Sequence, residues 1–116
     1  MSSGRMEKIN SLIAHELAQA FLQEVEFPKG AVVTIVEVKT SKDLRHAKVF
    51  LSILPEEHTA EVLTALIEAK RYLEDDLHGR LVMKYTPRLA FRLDHSMARQ
   101  EHIEALLDKL QNEHEE

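Results

Sequence analysis

Residues able to do chemistry are plentiful in this chain, but their spacing disqualifies most of them. Seven histidines invite a metal site, yet His15, His46, His58, His78, His95, His102 and His114 form no HxH, HxxxH or HExxH pair. Metal ligands sharing one helix need three- or four-residue spacing, so no metal is expected. Asp94-His95-Ser96 contains the residue types of a hydrolase triad, but side chains of sequence neighbours diverge, whereas a triad is assembled in space. A strand end followed by a helix cap accounts for the triplet better. Glu74-Asp75-Asp76 reads as a solvated helix face. There is no cysteine, hence no thiolate nucleophile, thiolate metal site or disulfide framework, and there is no glycine-rich phosphate loop. The chain is expected to be no enzyme and to need no cofactor.

The remaining chemical signal is a row of cations. Residues 77–93 contain Arg80, Lys84, Arg88 and Arg92 and no acidic residue, although the formal net charge of the whole chain is −5. Residues 39–54 add Lys39, Lys42, Arg45 and Lys48 against Asp43, and the acid collects in residues 100–116, where only Lys109 offsets six carboxylates. Phosphate responds to local potential, so an acidic protein can still present a basic face. Read functionally, these cations contact phosphate, and Phe50 beside them could stack on a base. Read structurally, they solubilise an open sheet face and protect an edge strand, with Phe50 packed under long side chains.

Elements to position these residues are legible. Residues 6–24 predict an amphipathic helix, with Ile9, Leu12, Ile13, Leu17, Ala20 and Phe21 on one stripe. Pro28-Lys29-Gly30 breaks the chain, and Ala31–Thr40 is a strand rich in β-branched residues, with Val32, Thr34, Val36 and Val38 on one face. A turn at Ser41-Lys42-Asp43 leads to a second strand, in which Ala47, Val49, Leu51 and Ile53 alternate with Lys48, Phe50 and Ser52, and the pair forms an antiparallel hairpin. Past Pro55 a helix capped near Thr59 carries Val62, Leu63, Leu66, Ile67 and Leu73, with Gly79 as its stop. Lys70 falls where Leu63 and Ile67 predict an apolar residue, which marks a kink or break at 69–72. Leu81–Asp94 alternates as a third strand, an edge or bulged one because Pro87 cannot donate to a ladder, with Leu89, Phe91 and Leu93 inward and Arg88, Ala90 and Arg92 outward. On that reading Lys84, Arg88 and Arg92 share one face. Ser96 caps a last helix with Ile103, Leu106, Leu107 and Leu110 on its stripe.

The order α-β-β-α-α-β-α predicts a two-layer α+β domain whose three strands are covered by helices on one face. The outer face then holds Lys39, Lys48, Phe50, Arg88 and Arg92. At 116 residues, 44% apolar and 30% charged, the chain makes one domain, residues 1–111, with 112–116 as an acidic solvated tail. No run approaches the roughly 20 apolar residues of a membrane span, and the first residues lack a signal region, so a cytoplasmic protein without a membrane partner is expected.

Three stretches together resemble the ribosome-binding factor A family. Asp43-Leu44-Arg45-His46-Ala47-Lys48-Val49 is similar to that family's hairpin segment. Lys84-Tyr85-Thr86-Pro87-Arg88-Leu89-Ala90-Phe91-Arg92-Leu93-Asp94 resembles its most recognisable signature, and Ser96 follows where the family also has a serine. The opening helix, with Arg5 near its start, is the third. The resemblance implies a type II KH-like fold and a non-catalytic assembly factor that binds the small ribosomal subunit and its ribosomal RNA. It also implies a role in late maturation and 5′-end processing, notably in the cold. Ala69-Lys70-Arg71 takes the place of the family's Ala-x-Gly kink with the glycine absent, and the family's basic tail is replaced by an acidic end. The RNA contacts expected are Lys39, Arg45, Lys48, Lys70, Arg71, Arg80, Lys84, Arg88 and Arg92, on a chain acting as a monomer. The alternative is a protein-interaction module that docks an acidic protein on the basic sheet face.

Overall fold

A computed structural model describes residues 2–94 and 108–112. The elements run α1 (Ser2–Glu24), β1 (Val32–Thr40), β2 (His46–Leu54), a single 3-10 turn (Glu56–His58), α2 (Thr59–Glu68), α3 (Lys70–Arg80) and β3 (Arg88–Leu93). Residues 108–112 are helical again, which accords with a closing helix. Its proposed cap, Ser96, and three of its stripe residues, Ile103, Leu106 and Leu107, lie outside the described residues.

The strands form one mixed sheet in the order β1-β2-β3. β1 and β2 make the expected antiparallel hairpin, and β3 lies parallel to β2. A parallel return needs a crossover, which α2 and α3 supply. Ala47, Val49, Leu51 and Ile53 of β2 and Leu89, Phe91 and Leu93 of β3 are buried. Against them pack Ile13, Leu17, Ala20 and Phe21 of α1, Val62, Leu63, Leu66 and Ile67 of α2, and Leu73 and Leu77 of α3. The helices therefore cover one sheet face, and the alternate residues of each strand face outward.

Several local expectations need correction. In β1, Ile35 pairs with Leu51 and Glu37 with Phe50, so Val36 is an extra residue in a β-bulge. The strand changes face there: Val33, Ile35 and Val38 turn inward, whereas Val32, Thr34, Glu37 and Lys39 turn outward. Residues 81–87 are not strand, and β3 begins only at Arg88, directly after Pro87. Thr59 does not cap α2; it is the first helical residue, buried, with its hydroxyl unbonded. Gly79 lies inside α3, which runs on to Arg80, and Gly30 is the glycine that adopts a positive φ, +88°, in the turn before β1.

The break between α2 and α3 falls where the apolar stripe shifts. Ala69 has φ −87° and ψ −1°, and the helix restarts at Lys70.

Candidate nucleic-acid interface

The sheet face opposite α1, α2 and α3 is built by the β-pairing itself. Lys39 of β1 stands opposite Lys48 of β2, and Lys48 in turn is level with Ala90 of β3. One step along, Glu37, Phe50 and Arg92 form the next row, and His46 is level with Arg88. The face holds Lys39, Lys48, Phe50, Arg88 and Arg92, as the alternation predicts. Like charges directly opposite each other cost stability, so the Lys39–Lys48 pair is no help to the hairpin. Lys39 Nζ lies 3.6 Å from Glu37 and 5.5 Å from the centre of the Phe50 ring. The ring is half-buried beneath it, the arrangement expected of a packed rather than a protruding aromatic. Among the described residues no carboxylate pairs with Lys48 or Arg88, and both are exposed.

The hairpin turn continues this strip. Asp43 Oδ1 accepts from the Ser41 hydroxyl at 2.6 Å and from the Arg45 amide at 3.0 Å. Those two hydrogen bonds, the first the stronger influence, hold the Asp43 carboxyl below its usual range. The Ser41 hydroxyl also accepts from the His46 amide at 3.0 Å, and the Arg45 carbonyl accepts from the Arg88 amide at 2.7 Å. That last bond ties the turn to the first residue of β3.

Arg45 is thereby brought to Tyr85. Its guanidinium carbon lies 4.8 Å from the ring centre, and Lys84 Nζ lies 5.5 Å from the same ring. Tyr85 is 45% exposed. Sequence reasoning named Phe50 as the aromatic and passed over Tyr85. The signal was present, because Tyr85 is an aromatic set within a run of cations.

The other expected cations separate from this strip. Lys84 precedes β3 and does not share a strand face with Arg88 and Arg92. Arg92 meets Asp108 of the 108–112 helix at 3.1 Å and also donates to the Phe91 carbonyl. Arg80 is bound into the helical layer: its Nε donates to Asp76 at 2.6 Å, Glu16 of α1 lies 3.7 Å away, and Gln23 accepts from Nη2. The Asp76 hydrogen bond, above all, raises the pKa of the guanidinium. At the α2–α3 break Arg71 is exposed but Lys70 is buried, only 6% accessible.

The outer edge of β3 is occupied. The Leu89 amide donates to Glu74 Oε2 at 2.9 Å. The Phe91 amide donates to Gln111 Oε1 at 2.7 Å, and Gln111 Nε2 donates back to the Phe91 carbonyl at 3.3 Å. Side chains therefore take ladder positions that an added strand would need. Among the described residues no cluster of histidines and carboxylates could hold a metal.

Comparison with known proteins bears on the whole chain. The ribosome-binding factor A of Chlamydia abortus is 38% identical over 112 residues, which cover 94% of this chain and 93% of that protein. The crystal structure of the ribosome-binding factor A from Thermus thermophilus superposes with a TM-score of 0.65 at 27% identity, covering 76% of this chain and 94% of that one. A homology model of the T. thermophilus factor, fitted into a cryo-EM map of its complex with 30S, gives 0.64 at 30% identity over 75% of this chain and 92% of the other. The family model for ribosome-binding factor A matches residues 5–107, which include the hairpin turn, the Ala69 break and all of β3. A shared fold and a match of that extent place this chain in the ribosome-binding factor A family.

Proposed function

We propose that this protein is a non-catalytic assembly factor that binds the small ribosomal subunit through its ribosomal RNA. The observation that carries the reading is the sheet face opposite α1, α2 and α3, where among the described residues Lys39, Lys48 and Arg88 stand exposed together on an acidic protein. An exposed row of cations along one face is the electrostatic footprint of phosphate binding. Its membership of the family supplies the partner, because a related factor of 30% identity was fitted into a map of its 30S complex.

Within this reading Lys39, Arg45, Lys48, Lys84 and Arg88 contact phosphate, with Arg71 as a separate contact at the helix break. Arg92 contributes after exchanging Asp108 for phosphate. Lys70 and Arg80 leave the set, the first by burial and the second by its carboxylate partners. The protein works in the cytoplasm, in late maturation and 5′-end processing, most visibly in the cold. Among the described residues no helix is long and apolar enough to cross a membrane.

The test is sedimentation of the native protein from a lysate, together with a deletion strain grown at low temperature. Co-migration with free small subunits and accumulation of precursor ribosomal RNA are expected. Normal ribosome profiles and mature RNA ends in the cold would contradict the reading.

Strand addition at β3, one route by which an acidic protein could dock in place of RNA, is disfavoured by a specific observation. The Leu89 and Phe91 amides on that edge already bond Glu74 and Gln111.

A further inference from the structure

A cleft of about 430 Å³ opens beside the basic strip, between the start of α1, the hairpin turn and the 81–85 connection. Its floor is apolar, with Ile9, Leu44, Leu81 and Met83, and its rim carries Arg5, Lys84 and Tyr85. A neighbouring hollow adds Lys42 beside Arg5 and Leu44. Val82 stands fully exposed at the mouth.

We propose that this cleft takes one unstacked nucleobase of single-stranded RNA, with Tyr85 against the base and Arg45, Lys84 and Arg5 on the flanking phosphates. The inference rests on the assembly-factor reading and adds to it a site and a ligand class. Four observations converge. The volume lies in the range of small-ligand sites, roughly 300–1,000 Å³, and is large enough for a single base. The charge is complementary: Arg5, Lys42 and Lys84 line the cleft and its neighbouring hollow, Arg45 lies over Tyr85 at its side, and these outnumber the one carboxylate of the cleft lining, Asp43, whose Oδ1 is held by Ser41 and Arg45. The site is continuous with the strip, because the Arg45 carbonyl accepts from the Arg88 amide.

The fourth observation is Leu44. Its φ is +63°, in the left-handed region that glycine or asparagine adopts more readily. The turn holds it there with the Leu44 amide bonded to the Ser41 carbonyl at 2.9 Å and with both Asp43 bonds. Glycine would serve the turn at less cost; leucine supplies a wall to the cleft. Backbone strain held by its surroundings clusters at functional sites.

In the unbound protein Arg45 and Lys84 lie over the Tyr85 ring. RNA offers each a phosphate, and the released ring face takes the base. An apolar floor makes no hydrogen-bond demand, so the site is tolerant of base identity.

The experiment compares a short labelled oligouridylate with the same oligonucleotide carrying one abasic ribose, both titrated with the full chain. Wild type is expected to bind the intact strand roughly 10-fold more tightly, as one stacked base contributes. Tyr85→Ala should erase that ratio and leave the abasic affinity unchanged, Tyr85→Phe should keep it, and Lys48→Ala should weaken both strands alike. Tyr85→Ala with the ratio intact overturns the site. In a second measurement a photo-crosslinking amino acid replaces Val82 in protein bound to free small subunits. A crosslink to RNA is expected; a crosslink to a ribosomal protein overturns the site while the assembly reading stands. Failure to bind either subunits or oligonucleotides overturns both.

Discussion

Asp43 fixes the hairpin turn through a single carboxylate oxygen, which accepts from the Ser41 hydroxyl and the Arg45 amide. Both bonds favour the ionised form, so the folded pKa lies below that of the unfolded chain. The sign follows by linkage: the stabilisation is complete above the ordinary carboxylate pKa, about 3.9, and is lost as pH falls through the depressed folded value. An NMR titration of the Asp43 carboxyl should therefore show a midpoint below the usual one. Asp43→Asn should remove the acid-dependent loosening of the 41–46 turn; a midpoint at or above the ordinary value would contradict the geometry. Residue identity alone foretold the turn here, because Ser41 and Asp43 are residues whose side chains bond their own backbone. It did not foretell that Arg45, distant in sequence, comes to lie over the Tyr85 ring, a placement that accompanies the Arg45–Arg88 bond.

At the scale of elements, β3 joins the core to the interface. Phe91 is fully buried, with its ring centre 6.4 Å from that of Phe21. Phe91→Ala should cost about 3–5 kcal/mol by opening a cavity, read as a lower melting temperature. The edge of the strand depends on side chains instead of a fourth strand. Gln111→Ala leaves the Phe91 amide and carbonyl without these partners and should cost about 1–3 kcal/mol, with faster hydrogen exchange at the Phe91 amide. Unchanged exchange would show that Gln111 does not protect the edge.

The inward set of β3 was legible because Leu89, Phe91 and Leu93 alternate with Arg88 and Arg92. The bulge in β1 was not: Val32-Val33-Thr34-Ile35-Val36 is β-branched throughout, so no charged residue marks its outer face. The alternation through Met83-Lys84-Tyr85 imitated a strand, but pairing with β2 starts only at Arg88. Lys70 was read correctly as an interruption of the apolar stripe, yet its burial depends on how α2 and α3 pack after the break, which spacing along one chain does not encode.

For the whole molecule, charge is separated rather than abundant. Lys39, Lys48, Arg88, Arg45 and Lys84 follow the outer sheet face and the hairpin end, and Asp108 brings acid from the 108–112 helix against Arg92. That the chain has a basic face was readable from residues 77–93; which cations remain displayed was not, because Arg80 and Arg92 find partners in α1, α3 and the 108–112 helix. The most direct test is Lys48→Ala with Arg88→Ala, since both are exposed and neither has a carboxylate partner among the described residues. Affinity for free small subunits is measured at two salt concentrations beside a melting curve. Binding should weaken, the magnitude of the salt slope should fall by roughly 0.7 to 0.9 for each lost contact, and stability should stay within about 0.5 kcal/mol of wild type. A double mutant with a normal melting curve that binds as wild type does at both salt concentrations would show that this face does not hold the RNA.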